Sequence, residues 1–234
     1  MSNQNHANLP EVETQADLFF HWRNKHKEEG KESLKNTLPC GAEASDNVIN
    51  SFLDDGPLGD KTKDVPVLFI CRESHADWNS SSPEFWMKEV VSCKYADESA
   101  YYQAEGKPTD GKDRRAQTKY YNFLSSCLTK LKELSAAAKE TRLPDCAYIN
   151  INKRGGTVSC DLNRLANYAV CYAPYIKKQI KLLNPSCILI CGNLPETILN
   201  IIRDARITEN CEIYCYPRHP SVWSRKLLEK IDKI

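Results

Sequence analysis

Three groups of polar residues follow apolar segments at separate places in this chain, and their side chains are suited to acid–base chemistry and phosphate binding. The groups are Arg72 to His75, Asn150 to Gly156, and Arg218 to Ser221. In open α/β sheets, ligands bind in a crevice beyond the carboxyl ends of the strands. The sequence therefore predicts one crevice to which all three groups contribute.

Each group offers a different chemistry. Glu73 can position a water, act as a base, or offset positive charge in a transition state. Asn150 and Asn152 alternate along one predicted strand, so their amides share a face that can read a base edge. His219 is held by the proline that follows it, and Ser221 adds a hydroxyl suited to a phosphodiester.

Each of these residues also has an ordinary structural interpretation. Glu73 can form a salt bridge with its neighbour Arg72, and the asparagines can cap a strand end. Trp223 can pack beneath a C-terminal helix instead of wedging between bases as a base-flipping enzyme requires. Taken singly, the residues leave these alternatives open.

The charge balance gives no general attraction to nucleic acid. Lysines and arginines number 32 against 31 acidic residues, a formal net charge of +1. Any nucleic-acid-binding surface must therefore be a local cluster of cations. The candidates near the predicted crevice are Arg72, Lys153, Arg154, Arg218 and Arg225.

Alternating strand and helix patterns predict an α/β fold, a three-layer sandwich around a central, mostly parallel, four-stranded sheet. Apolar runs predict strands at 65–71, 146–152, 187–191 and 213–216. Helical spacing predicts helices at 13–35, 118–139, 161–183, 196–203 and 222–234, the first with a narrow aromatic stripe.

The length of 234 residues predicts a single domain over 13–234, with an N-terminal helical extension and a disordered tail at 1–12. The first residues lack a signal-type apolar region and no stretch approaches about 18 apolar residues, so we expect a cytoplasmic protein without membrane contact. We also expect a monomer. The eleven cysteines include no Cys-x-x-Cys spacing. They predict reduced thiols that pack in the core, with no metal or other cofactor.

Taken together, these segments resemble the uracil-DNA glycosylase superfamily. Residues 67–75 look like its first motif, in which Gly-Gln-Asp-Pro-Tyr or Gly-Glu-Ala-Pro-Gly follows a strand, and residues 148–153 look like its base-reading strand. Residues 183–192 are similar to its helix-to-strand passage. His219-Pro220-Ser221-Val222-Trp223-Ser224 resembles its His-Pro-Ser-Pro-Leu-Ser pattern, and the resemblance spans residues 65–224.

The resemblance implies hydrolysis of an N-glycosidic bond in DNA, which leaves an abasic site and needs no cofactor. Glu73 stands where the superfamily has its water-activating acid. Either Asn150 or Asn152 would bind the flipped base, and His219 would donate to a pyrimidine carbonyl oxygen of the leaving base. The resemblance further assigns phosphate binding to Ser221 and the wedge between bases to Trp223.

The sequence departs from the superfamily around the predicted base pocket. Cys71 replaces a glycine, Ser74 replaces a proline, and His75 falls where some members carry a tyrosine that excludes a 5-methyl group. With an insertion at 77–111, this predicts a pocket for a pyrimidine with a large 5-substituent. The leading hypothesis is a glycosylase for modified pyrimidines, such as glucosylated hydroxymethylcytosine in phage DNA, acting in antiviral defence. The alternatives are a uracil-removing repair enzyme and a catalytically silent DNA-binding or base-binding module.

Overall fold

The computed structural model describes residues 9–29, 52, 55–74, 111–155, 160–205, 210–218 and 225–234; at 73–74, 111–121, 155 and 225–227 it describes the backbone alone. Five α-helices occur in these ranges: α1 (Gln15–Glu28), α2 (Gly111–Leu134), α3 (Leu162–Cys171), α4 (Ala173–Leu183) and α5 (Glu196–Ala205). The strands are β1 (Gly56–Pro57), β2 (Val67–Ser74), β3 (Ala147–Gly155), β4 (Cys187–Cys191), β5 (Glu212–Tyr216) and β6 (Asp232–Lys233).

The strands form one mixed sheet in the order β1-β3-β2-β4-β5-β6. The four central strands are parallel, and β1 and β6 pair antiparallel at the two edges. The predicted α/β class is confirmed, but the predicted count of four strands is wrong. Each edge strand has only two residues, which is too short to produce an alternating pattern that the sequence could reveal.

Two hydrophobic clusters cover the opposite faces of this sheet. Leu68 and Ile70 of β2 pack in the cluster that α1, α3, α4 and α5 complete. Phe69 and Cys71, which alternate with them, pack in the cluster that α2 completes. Strand β4 is buried along its whole length, as its continuous apolar sequence predicts.

The prediction that the cysteines pack in the core is confirmed for most of the described ones. Six are buried as free thiols: Cys71, Cys127, Cys146, Cys187, Cys191 and Cys211. Burial disfavours the thiolate and raises the pKa of Cys187 to about 12. These thiols therefore behave as small apolar side chains at physiological pH.

The helix predicted at 161–183 is divided in two. The first part ends at Cys171, and Tyr172 leaves the helical conformation with φ −108° and ψ 16° before α4 begins at Ala173. Pro174 lies in the first turn of α4, where its missing backbone N–H costs nothing; in the middle of one long helix it would remove a hydrogen bond.

Two predictions at the chain ends are corrected. Val12 is buried and Leu9 packs against the same cluster, so residues 9–12 are not a disordered tail. The helix predicted at 222–234 is replaced over its described part by a 3₁₀ helix (Arg225–Lys230) followed by β6. No helix in the described ranges has a long enough apolar stretch to cross a membrane.

Candidate functional site

The connections between the parallel strands define where a crevice can open. From β2 the chain moves to β3 on one side and then returns across β2 to β4 on the other side. In an open α/β sheet, such a reversal leaves a crevice beyond the carboxyl ends of the two diverging strands. Here those ends are Ser74 of β2 and Cys191 of β4.

The side chain of Arg72 reaches across the point between β2 and β4 where the direction of the connections reverses. Its Nη2 donates to the carbonyl oxygen of Asn193 over 3.0 Å, which links β2 to the segment after β4. Gly192 has φ +106°, and a Cβ at that position would lie 2.9 Å from Arg72 Nε. The positive φ favours glycine at this position, and the absence of a Cβ also leaves room for the guanidinium of Arg72.

Strand register brings two of the three predicted groups to the same edge. In the parallel pairing of β2 with β3, Glu73 is the partner of Asn152, and Cys71 is the partner of Asn150. Adjacent strands lie about 4.8 Å apart. The Glu73 backbone therefore lies next to the asparagine strand, as a shared site requires.

The third group lies largely outside the described residues. Strand β5 ends at Tyr216, and Arg218 beyond it is exposed. The predictions for His75, His219, Ser221 and Trp223 concern residues outside the described ranges, and those for the side chains of Glu73 and Arg225 do as well. Their assigned roles remain predictions.

The structure distinguishes the two asparagines that the sequence left equivalent. Asn150 is 1% exposed, and its Oδ1 accepts a 3.1 Å hydrogen bond from the Tyr148 hydroxyl. Its Nδ2 is buried and has no hydrogen-bond partner among the described residues. In contrast, the Oδ1 of Asn152 accepts from the backbone N–H of Arg154 over 3.0 Å. Among the described residues, Asn150 therefore carries a buried amide donor without a partner.

Lys153 is buried inside the protein, not exposed toward DNA. Its ammonium forms an ion pair with Asp55, and both side chains are fully buried. Its Nζ also donates to the carbonyl oxygen of Asn150 over 2.7 Å. The predicted phosphate contact by Lys153 does not fit this arrangement, because its charge is already neutralised in the interior.

Arg154 is also enclosed. Its Nη2 donates to Glu29 Oε2 over 3.1 Å and to the Tyr172 hydroxyl over 3.3 Å. Its guanidinium carbon lies 5.8 and 5.7 Å from the ring centres of Tyr168 and Tyr172, within the range of a cation–π contact. The predicted DNA contact by Arg154 is therefore corrected to an internal one.

Helix α1 covers this cationic end of β3. Trp22 is fully buried and stacks on Tyr172 with 6.0 Å between the ring centres. The centre of the Trp22 ring lies 5.4 Å from Lys153 Nζ. His26 Nε2 lies 3.0 Å from the hydroxyl of Tyr168, and burial raises the pKa of that phenol well above its usual range. The aromatic stripe predicted on the N-terminal helix thus encloses the cations of β3.

A separate cleft of about 600 Å³ lies at the opposite, amino edge of the sheet, where Ser186, Glu212 and Lys233 contribute to its lining. Glu212 accepts from Lys233 Nζ over 2.6 Å and from the hydroxyl of Ser135. The bond from Lys233 is the main cause that lowers the pKa of Glu212. None of the described residues of the predicted groups, which follow the carboxyl ends of the strands, contributes to the lining of this cleft.

Comparison with protein-family models and with curated proteins finds no match to this chain. Its class of function is therefore inferred from the motifs and from the geometry at the carboxyl edge.

Proposed function

We propose that this protein is a DNA glycosylase that hydrolyses the N-glycosidic bond of a flipped, modified pyrimidine and leaves an abasic site. The observation that carries the proposal is the buried, unpartnered Nδ2 of Asn150, on a strand whose position 152 pairs with Glu73 at the carboxyl edge. A buried polar group without a partner is costly, and sites that bind polar ligands are where such groups are expected.

The proposed reaction needs only residues of this chain, a water and the DNA. Water adds to C1′ of the sugar and gives a proton to Glu73. The bond between C1′ and the base nitrogen breaks with its electron pair leaving on the base, which then takes up a proton from the solvent. Glu73 positions the water and offsets the positive charge of the oxocarbenium-like sugar. His219 donates a hydrogen bond to the base oxygen on which negative charge develops.

Asn150 restricts the edge that the base presents. Because its Oδ1 already accepts from Tyr148, the available Nδ2 is a donor, and its complement on a pyrimidine is a carbonyl oxygen or another acceptor. Uracil and modified cytosines both present a carbonyl at position 2. The proposal of a large 5-substituent, with glucosylated hydroxymethylcytosine in phage DNA as the leading example, comes from His75, which stands in place of a tyrosine, and from the insertion at 77–111. Antiviral defence is the setting that this substrate implies.

The function is tested with three duplexes, one unmodified, one containing uracil and one containing glucosylated hydroxymethylcytosine. After incubation with the protein, alkali converts abasic sites into strand breaks. Breaks confined to the modified duplex support the proposal, and breaks in the uracil duplex alone assign the protein to uracil repair. DNA binding without breaks in any duplex contradicts catalysis and leaves a binding module.

We expect Asn150→Asp to lower kcat/KM by about 10²-fold, comparable to the loss of one donor that stabilises a developing oxyanion. The carboxylate keeps the shape and the contact with Tyr148 but replaces the donor with a negative charge that repels a base carbonyl. Asn152→Asp, in the amide that holds the Arg154 backbone, is expected to have the smaller effect. Steady-state kinetics on the duplex that the protein cleaves give kcat/KM for both variants. A larger loss in Asn152→Asp than in Asn150→Asp would assign base reading to Asn152.

Arg218 is the exposed cation that we expect to contact phosphate. Arg218→Ala should weaken binding to all sequences alike and reduce the slope of log K against log salt by about 1, since one phosphate contact is lost. The matched control is Arg142→Ala, which removes an exposed arginine that precedes the amino end of β3. Fluorescence anisotropy over a range of salt concentrations measures both slopes, and equal slopes in the two variants would remove Arg218 from the interface.

A further inference from the structure

The backbone of Asn150 lies just beyond the described pairing of β3 with its edge strand. In that pairing, Gly56 and Pro57 of β1 face Tyr148 and Ala147. Among the described residues, no strand backbone bonds to the edge-facing N–H and C=O of Asn150. Buried backbone groups of this kind need other partners.

A buried ion pair supplies those partners. The Asn150 N–H donates to Asp55 Oδ2 over 2.6 Å, and Lys153 Nζ donates to the Asn150 carbonyl oxygen over 2.7 Å. Lys153 Nζ also bonds to Asp55 Oδ1. The carboxylate and the ammonium together take the hydrogen-bonding positions that the backbone of a neighbouring strand fills elsewhere in a sheet.

The ion pair is itself fixed by a further side chain. Gln179 Nε2 of α4 donates to Asp55 Oδ1 over 3.0 Å and to the Asp55 carbonyl oxygen over 3.2 Å. Asp55, Lys153 and Gln179 are each at most 2% exposed. In this low-dielectric setting, charge-assisted hydrogen bonds are strong and directional, so the cluster is rigid.

Asn150 is consequently held at its backbone N–H, its backbone C=O and its Oδ1, while Nδ2 has no partner among the described residues. The cluster satisfies the buried Asn150 backbone, which apolar side chains could not do, and the same bonds fix the position of the side-chain amide. A preorganised donor needs no reorientation when charge develops on a bound base.

We propose that Asp55 and Lys153, supported by Gln179, are positioning residues that hold the Asn150 amide in its base-reading orientation. This inference rests on the proposed function and deepens it, because it identifies the residues that hold the base-reading amide in place. None of the three side chains touches the base; they act through Asn150.

The test is the double variant Asp55→Asn/Lys153→Met, which leaves no uncompensated buried charge and keeps similar side-chain shapes. We expect kcat/KM to fall roughly 10- to 100-fold, as for a misplacement of about 1 Å in a catalytic group. We also expect faster hydrogen exchange of the Asn150 amide by NMR. The matched control is Glu212→Gln/Lys233→Met, which removes an ion pair at the opposite edge and should leave kcat/KM within about twofold, as expected for a partly exposed pair outside the site.

A folded double variant with unchanged kcat/KM overturns the inference. If the double variant does not fold, Gln179→Met takes its place, since Gln179 contacts Asp55 but not the Asn150 backbone in the contacts described above. A loss of turnover at unchanged unfolding midpoint then supports positioning, and unchanged turnover overturns it. An inactive wild type contradicts the proposed function instead, and Asn150 amide exchange still reports whether the ion pair holds that residue.

Discussion

Glu73→Gln is expected to lower the rate of base excision by about 10²- to 10⁴-fold, the usual range for a positioned acid–base group. Glutamine keeps the shape of glutamate but removes its negative charge. It can neither offset the positive charge on the sugar nor accept a proton from water. Affinity for DNA should be retained, because the substitution removes no phosphate contact.

Single-turnover kinetics and anisotropy binding on the same modified duplex separate these two effects. Glu212→Gln is the matched control, since it neutralises another strand carboxylate at the amino edge of the sheet. Turnover by Glu73→Gln equal to that of the wild type would show that another residue is the catalytic acid. A parallel loss of turnover and binding would indicate a structural role for Glu73.

Lys153→Met is expected to lower the free energy of unfolding by about 3–5 kcal/mol, because it leaves the Asp55 carboxylate buried without its cation. Both side chains of this ion pair are fully buried, unlike those of the ion pairs at the protein surface. Lys130→Met provides the control, since Lys130 pairs with the exposed Glu133 and Glu229. Its effect should stay below about 1 kcal/mol.

Urea denaturation followed by circular dichroism measures both variants. Adding Asp55→Asn to Lys153→Met should restore much of the lost stability, because the unpaired charge is then removed. A Lys153→Met protein within about 1 kcal/mol of the wild type would contradict the buried ion pair. It would return Lys153 to the set of candidate DNA contacts.

The sequence predicted the elements that a pattern of neighbouring residues identifies. Strand β4 is a continuous apolar run and was predicted with its observed bounds, and the aromatic stripe on α1 correctly indicated its packing face. The edge strands escaped prediction because two residues carry no periodicity. The break at Tyr172 was missed because the apolar spacing continues across it, although Pro174 gave a usable signal.

The positively charged end of β3 was misinterpreted for a different reason. Two adjacent cations before a pair of glycines are typical of an exposed phosphate-binding turn. Their partners lie far away in the sequence, with Asp55 separated from Lys153 by 98 residues and Glu29 from Arg154 by 125. No local pattern reveals such pairings, and nothing in the sequence marked Asp55 and Gln179 as neighbours of Lys153.

The choice between Asn150 and Asn152 also required three-dimensional information. Both asparagines were correctly placed on one strand, and their alternation agrees with the pairing of Asn150 with Cys71 and of Asn152 with Glu73. Only the contacts of the folded chain show that the Nδ2 of Asn150 is buried without a partner among the described residues. The sequence therefore predicted the strand that carries both asparagines, but it did not distinguish the hydrogen bonding of the two amides.

The most direct measurement is mass spectrometry of the small molecules released from modified duplex DNA, together with a count of abasic aldehydes in the same sample. If the protein is a DNA glycosylase, we expect one intact free base, with its 5-substituent attached, for every aldehyde formed. Release of a nucleoside or nucleotide, of the sugar substituent alone, or of nothing from DNA that the protein binds would contradict N-glycosidic hydrolysis at this site.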